Sequence, residues 1–244
     1  MKLAVIADIH GNSDALRAVL NDMDRQEITQ AVNLGDHFSG PMDAAGTAEL
    51  LLARDFPSIR GNHDRWLIET PAEEMDTLER ISSAQILADH IDWLRGLPAT
   101  RTLGDIFLCH ATPTDDLTYW LEHVSPDGSV RPATLPEIEP HAAGIKASLI
   151  LCAHTHIPRC VRLPDGRTIL NPGSVGCPAY KDDAPYYHEM QTGSPNASYA
   201  IAEQTRQGWD VTFRSVPYDP ARMIAMAHDN DHGWWETRLA TGWV

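Results

Sequence analysis

Basic residues are scarce in this chain: its 244 residues include 19 Lys and Arg against 34 Asp and Glu, a formal net charge of −15. That balance disfavours a long polyanion lying across the surface, so duplex DNA or RNA is not the expected partner. No apolar run reaches membrane-spanning length, and Met1-Lys2-Leu3 leads straight into a strand-like run without the layout of a signal peptide. The expectation is a soluble, cytoplasmic chain with no membrane partner. Cysteine is sparse as well. Cys109, Cys152, Cys160 and Cys177 form no C-x-x-C pair, so disulfides are not indicated, and Cys109 and Cys152 sit in apolar runs where a thiol acts as a small hydrophobe. Linkers, repeats and low-complexity segments are also missing. The length and apolar fraction suit one α/β domain over residues 1–244.

What the chain does have is five islands of metal-binding side chains: Asp8-Ile9-His10, Gly35-Asp36, Gly61-Asn62-His63-Asp64, His110, and His154-Thr155-His156. Each follows a run that reads as a buried strand: Lys2 to Ala7, Gln30 to Leu34, Phe56 to Arg60, Ile106 to Cys109, and Ser148 to Ala153. Strand ends gathered at one sheet edge bring such side chains together although they lie far apart in sequence. A two-metal site is built in this way.

Taken singly, each island has an ordinary structural explanation. Asp8 and His10 suit a polar strand end before a helix cap, and Gly35-Asp36 suits a turn. A cap explains Asn62 or Asp64 but not the whole tetrad, which sets an amide oxygen, an imidazole and a carboxylate side by side. There His63 suits a general acid if Asp64 holds its other nitrogen. The imidazoles of His110, His154 and His156 favour Zn, Fe or Mn over Mg or Ca.

In this order the islands resemble the signature of the calcineurin-like metallophosphoesterase superfamily. Asn171-Pro172-Gly173-Ser174-Val175-Gly176 further resembles its small prokaryotic branch. One departure stands out: Ala153 occupies the place of the family's glycine before the last histidine pair, a harmless change if φ there is negative. The resemblance implies a four-layer α/β/β/α sandwich of two mixed β-sheets flanked by helices. It also implies two divalent ions, Mn or Fe first and Zn, Co or Ni as alternatives. Asp8, His10, Asp36 and His156 would hold one ion, and Asp36, Asn62, His110 and His154 the other, with Asp36 bridging.

The implied activity is that of a metal-dependent phosphoric ester hydrolase, in which a metal-bridging hydroxide attacks phosphorus, His63 acts as acid and Asp64 orients it. A small phosphorylated substrate is expected. A phosphodiester or nucleotide-type ester, dinucleoside polyphosphates included, is the first reading, and a phosphomonoester, phosphoproteins included, is the second. A metal-binding interaction module without turnover is the rival from another class. Arg60, Tyr180 and Tyr186 are the weak candidates for substrate contact.

Elsewhere, Asn12 or Ser13 and Asp43 suit helix caps, and the strand–helix alternation implies parallel βαβ units. Residues 73–97 show helical periodicity with an apolar stripe through Leu78, Ile81, Ile86, Leu87, Ile91 and Leu94. After His156 a Pro164-Asp165-Gly166 turn predicts a hairpin, and Ser198–Ala202 and Trp209–Val216 predict further strands. Residues 176–196 read as a long surface loop. Trp234, Trp235 and Trp243 read as packing or as contacts of a homo-oligomer.

Overall fold

The computed structural model describes residues 1–244. Its first half runs β1 (Lys2–Ile6), α1 (Ser13–Arg25), β2 (Ala31–Asn33), α2 (Ala44–Leu52), α3 (Asn62–Glu69), α4 (Thr77–Ser83), α5 (Ala88–Gly96), β3 (Thr100–Leu103) and β4 (Ile106–Cys109). The middle holds β5 (Glu122–Val124), β6 (Val130–Pro132), α6 (Leu135–Ile138), β7 (Leu149–Leu151), β8 (Arg159–Arg162) and β9 (Thr168–Asn171). The last part adds β10 (Ala179–Asp182), β11 (His188–Gln191), β12 (Ala197–Thr205), β13 (Gly208–Val216), α7 (Ala221–Asp229) and α8 (Trp235–Thr241).

Two mixed sheets result, one in the order β13-β12-β1-β2 and the other in the order β3-β4-β7-β9-β8. Alternation along β1 shows how they pack. Leu3 and Val5 face inward and meet Leu108, Leu149, Leu151 and Leu170 of the second sheet, while Ala4 and Ile6 face outward onto Leu16, Val19 and Met23 of α1. The outer face of the second sheet carries Cys109, Ile150, Cys152 and Ile169, covered by Trp120, Leu121, Ile138 and Ala142. The order is therefore helix, sheet, sheet, helix, the α/β/β/α sandwich that the resemblance implies, with a thin fourth layer. No helix is long and apolar enough to cross a membrane.

Parallel pairing places the site. β1 runs parallel to β2 in one sheet, and β4, β7 and β9 run parallel in the other. Their carboxyl ends open on one edge, where loops leave the sandwich. The side chain of Asn12 caps α1 by accepting from Ala15 N–H at 3.0 Å, and that of Asp43 caps α2 from Gly46 N–H at 3.0 Å.

Three expectations differ from the structure. Phe56–Arg60 is not a full strand: only Ser58 bridges Asn33, since Pro57 has no N–H to extend the ladder. The periodic stretch 73–97 is two helices, α4 and α5. Between them Gln85 turns inward, donating to Met42 O at 2.7 Å and accepting from Ala44 N–H at 2.9 Å. Leu87, expected in the apolar stripe, is exposed before α5. Residues 176–196 are no plain loop, because β10 and β11 pair there as an antiparallel hairpin.

Candidate metal centre

Asp8 and His10 follow β1, Asp36 follows β2, Asn62 and His63 open α3, His110 follows β4, and His154 and His156 follow β7. The backbone leaves the strands sharply here. Asp8, His10, Asp36, His154 and His156 have φ of 54°, 51°, 57°, 69° and 61°, five of the eight non-glycine residues in the left-handed region. Such strain persists only where the surroundings hold it, and it marks functional edges. Ala153 is not among them, so the residue that replaces a family glycine carries no such strain. Gly35 does need its freedom: its φ is 106°, and a Cβ there would run into Gly61 N and lie 2.8 Å from Gly61 Cα.

The side chains converge in three overlapping groups, one of them His10, Asp36 and His63. Asp8, His10 and His156 have ligand atoms within 4.8 Å of one another, as do Asp36, His110 and His154. Asp36 joins the groups, since its Oδ2 is 3.8 Å from His10 Nε2 and 3.3 Å from His110 Nε2. Asn62 Oδ1 lies 3.0 Å from His110 Nε2. Three rings are oriented by carbonyls behind them. Nδ1–H of His10, His110 and His156 donates to Ser39 O at 2.9 Å, Leu34 O at 2.8 Å and Cys177 O at 2.7 Å, which turns each Nε2 toward the centre. For His154, Nε2 is the nitrogen that bonds outward, to Leu117 O at 3.0 Å.

Both carboxylate oxygens of Asp8 are buried without a hydrogen-bond partner, while His10 and His156 set Nε2 against Nε2 at 3.2 Å. Acceptors crowded in this way around one point fit a cation. Burial and neighbouring charges also shift the titration of these groups. Burial pushes Asp8 up to about 8 and His10 down to about 4. Burial also takes His154 to about 3 and His156 well below its ordinary value. For Asp36, burial acts upward but is outweighed by His110 and His63, which hold it low. Burial acts downward on His110, but Asp36 raises it to about 10.

His63 stands beside this cluster, its ring centroid 5.1 Å from that of His10. The carboxylate that holds it is not the expected one. His63 Nδ1 lies 2.6 Å from Glu79 Oε1, on α4, whereas Asp64 Oδ2 takes His37 Nδ1 at 2.8 Å. Asp64 also accepts backbone N–H from Asp36, His37 and Gly61 at 2.8, 3.0 and 2.9 Å. Its place as the third residue of α3 explains this: the side chain folds back over the helix start and points away from His63. Asp64 thus braces the Asp36 loop, and Glu79 orients His63. Sequence reasoning missed Glu79 and His37, which have no motif spacing to the histidine or carboxylate they meet.

The Asn171 to Gly176 segment braces the same edge. Asn171 Nδ2 donates to Ala153 O at 2.8 Å and Ser174 Oγ to Asp8 O at 2.7 Å. A cavity of about 300 Å³ opens over the cluster, walled by His63, Trp66, Tyr180, Trp234, Trp235 and Arg238 among others. Tyr180 stacks edge-on against His156 at 4.7 Å and donates to His154 O at 3.2 Å. Tyr186 is exposed and Arg60 faces Glu69 at 3.9 Å; neither lines the cavity. Trp235 packs in the core, as expected, and both Trp234 and Trp235 also line the cavity. Trp243 lies instead beside Gly193.

Residues 1–193 match the family model described as the calcineurin-like phosphoesterase superfamily domain. An uncharacterised protein of Methanocaldococcus jannaschii is 25% identical over 242 residues, covering 89% of this chain and 88% of its own. The crystal structure of a metallophosphoesterase from Sphaerobacter thermophilus superposes with a TM-score of 0.74 at 26% identity, covering 99% of each chain. A hypothetical protein from Pyrococcus horikoshii shares the fold, with a TM-score of 0.71 at 18% identity over 94% of this chain and 93% of its own.

Proposed function

The chain belongs to the calcineurin-like phosphoesterase superfamily, and on that premise we propose that it hydrolyses a phosphodiester or nucleotide-type substrate, dinucleoside polyphosphates included, at a binuclear metal centre. Asp8, His10, Asp36 and His156 would hold one divalent ion, and Asp36, Asn62, His110 and His154 the second, with Mn or Fe the expected metals. Bound ions supply Lewis acidity to the phosphoryl oxygens and bring the pKa of a water toward neutrality.

The chain's own residues supply the rest. The observation that carries the reading is the His63–Glu79 pair at 2.6 Å on the wall of the cavity. With Nδ1 committed to Glu79, the Nε2 nitrogen of His63 is left for substrate. Burial would discharge this ring, but the Asp36 charge and the Glu79 hydrogen bond outweigh it and raise its pKa. On this reading His63 brings a proton to the reaction through Nε2. As water adds to phosphorus and the P–O bond to the leaving group breaks, that proton passes to the departing oxygen, an alkoxide from an ester or a phosphate from a polyphosphate. A module that only binds metal has no use for a buried carboxylate fixing this ring.

The test uses protein stripped of metal and reloaded with Mn, with Asp36→Asn as blank. Faster hydrolysis of an aryl phosphodiester than of the matching monoester supports the proposal, and the reverse replaces it with a phosphomonoesterase. Two ions bound with no turnover of either ester would favour the binding module. His63→Ala is expected to lower turnover about 10²–10⁴-fold with metal content retained.

A further inference from the structure

Arg238, on the inner face of α8, is 7% exposed, and its guanidinium opens on the cavity over the cluster. Its charge has no hydrogen bond or ion pair within the chain. The guanidinium carbon stacks 4.0 Å from the ring centroid of Trp234 and lies 5.6 Å from that of Trp235. Glu189, the carboxylate that faces it from β11, is beyond ion-pair reach and is occupied by Lys181 at 3.4 Å and Tyr187 Oη at 3.1 Å. Its donors are thus left free toward the cavity although most of the side chain is covered. Stacking on Trp234 fixes the plane of its donors, and such a fork matches two oxygens of a phosphate.

The remaining charges of the cavity narrow the choice. Lys181, Asp76 and Asp182 also line it, but each is engaged locally, with Glu189 Oε1 at 3.4 Å, Thr77 N–H at 2.6 Å and Ala184 N–H at 3.0 Å respectively. Arg238 lies beyond the residues matched by the family model, 1–193. The geometry points to Arg238 as the receptor for a second phosphoryl group of the substrate, beyond the one that reacts at the cation-binding edge. The site would thereby select pyrophosphate-linked substrates over esters with a single phosphate. This rests on the proposed phosphoesterase reading and deepens it.

The test is calorimetric binding of two non-hydrolysable probes, methylenebisphosphonate and methylphosphonate, to Mn-loaded wild type, Arg238→Met and Arg238→Lys, with metal content and melting temperature recorded. Arg238→Met is expected to lose about 10- to 100-fold in affinity for the bisphosphonate, the worth of a charged hydrogen bond. Its affinity for methylphosphonate should change less than about threefold, and Arg238→Lys should fall between wild type and Arg238→Met. Equal loss for both probes, or no loss for either, overturns the proposal. If Arg238→Met fails to fold, the same contrast is read from Arg238→Lys. Aryl diester turnover by wild type reports separately on the phosphoesterase reading. Failure there with the probe contrast intact removes the chemistry and leaves the binding site.

Discussion

Asp8, His10, Asp36, His154 and His156 each hold a left-handed backbone that costs about 1–3 kcal/mol. The neighbours that hold them can be tested one at a time. Gly61 has ordinary negative φ, yet a Cβ there would run into Asp36 Oδ1 and lie 2.7 Å from His110 Cε1. Gly61→Ala should therefore bind less than its full complement of metal and lose activity in step, as read by elemental analysis and turnover. Glu79 acts through His63. Glu79→Gln keeps the shape but weakens the hydrogen bond, so kcat should fall about 10-fold or more while metal content stays as in wild type. Unchanged kcat would return the orienting role to another group. Most of the metal-ligand candidates could be picked out because they stand beside a recognisable strand end; Asn62 is the exception, since the run before it forms only a single bridge. The partner of His63 was not, because Glu79 belongs to another helix and meets His63 only through tertiary packing.

At the scale of elements, α1 is tied to the first sheet by a buried carboxylate. Asp22 accepts from Tyr199 Oη at 2.9 Å and from Arg214 Nε and Nη2 at 3.0 Å each. Burial works to raise its pKa, but these bonds prevail and hold it below the ordinary value. A carboxyl lowered in the folded state stabilises fully above its unfolded pKa of about 3.9 and loses that contribution as pH falls through the lower folded value. Asp22→Asn should therefore cost about 2 kcal/mol at neutral pH. In denaturant melts its deficit against wild type should shrink only in acid below about pH 4, and a deficit that grows there would refute the account. Continuous apolar runs announced β1, β4 and β7, because a doubly covered strand needs apolar side chains on both faces. The break between α4 and α5 left no such trace. It depends on where Gln85 finds partners, and the hairpin of β10 and β11 depends on a surface that only the folded site provides.

For the whole molecule, the groups of donors join loops from both sheets at one edge. An ion bound there favours the folded state by mass action, about 2.7 kcal/mol for each site at a free concentration 100 times its Kd. Chelation should lower the melting temperature by about 2–4 °C for each kcal/mol lost, and a melting curve indifferent to chelator would argue against cations bridging the loops. The sandwich was legible from the sequence through the resemblance of its ordered motifs. The roof over the site was not, since Trp234, Trp235 and Arg238 carry no pattern that links them to the histidines.

The roof and the donors beneath it come from different stretches of the chain. The donors all lie between Asp8 and His156, whereas α7 and α8 enter only after residue 220. Arg238 can therefore be exchanged for another side chain without altering any of those donors, so the shape and charge of the roof can be changed independently of the edge beneath it.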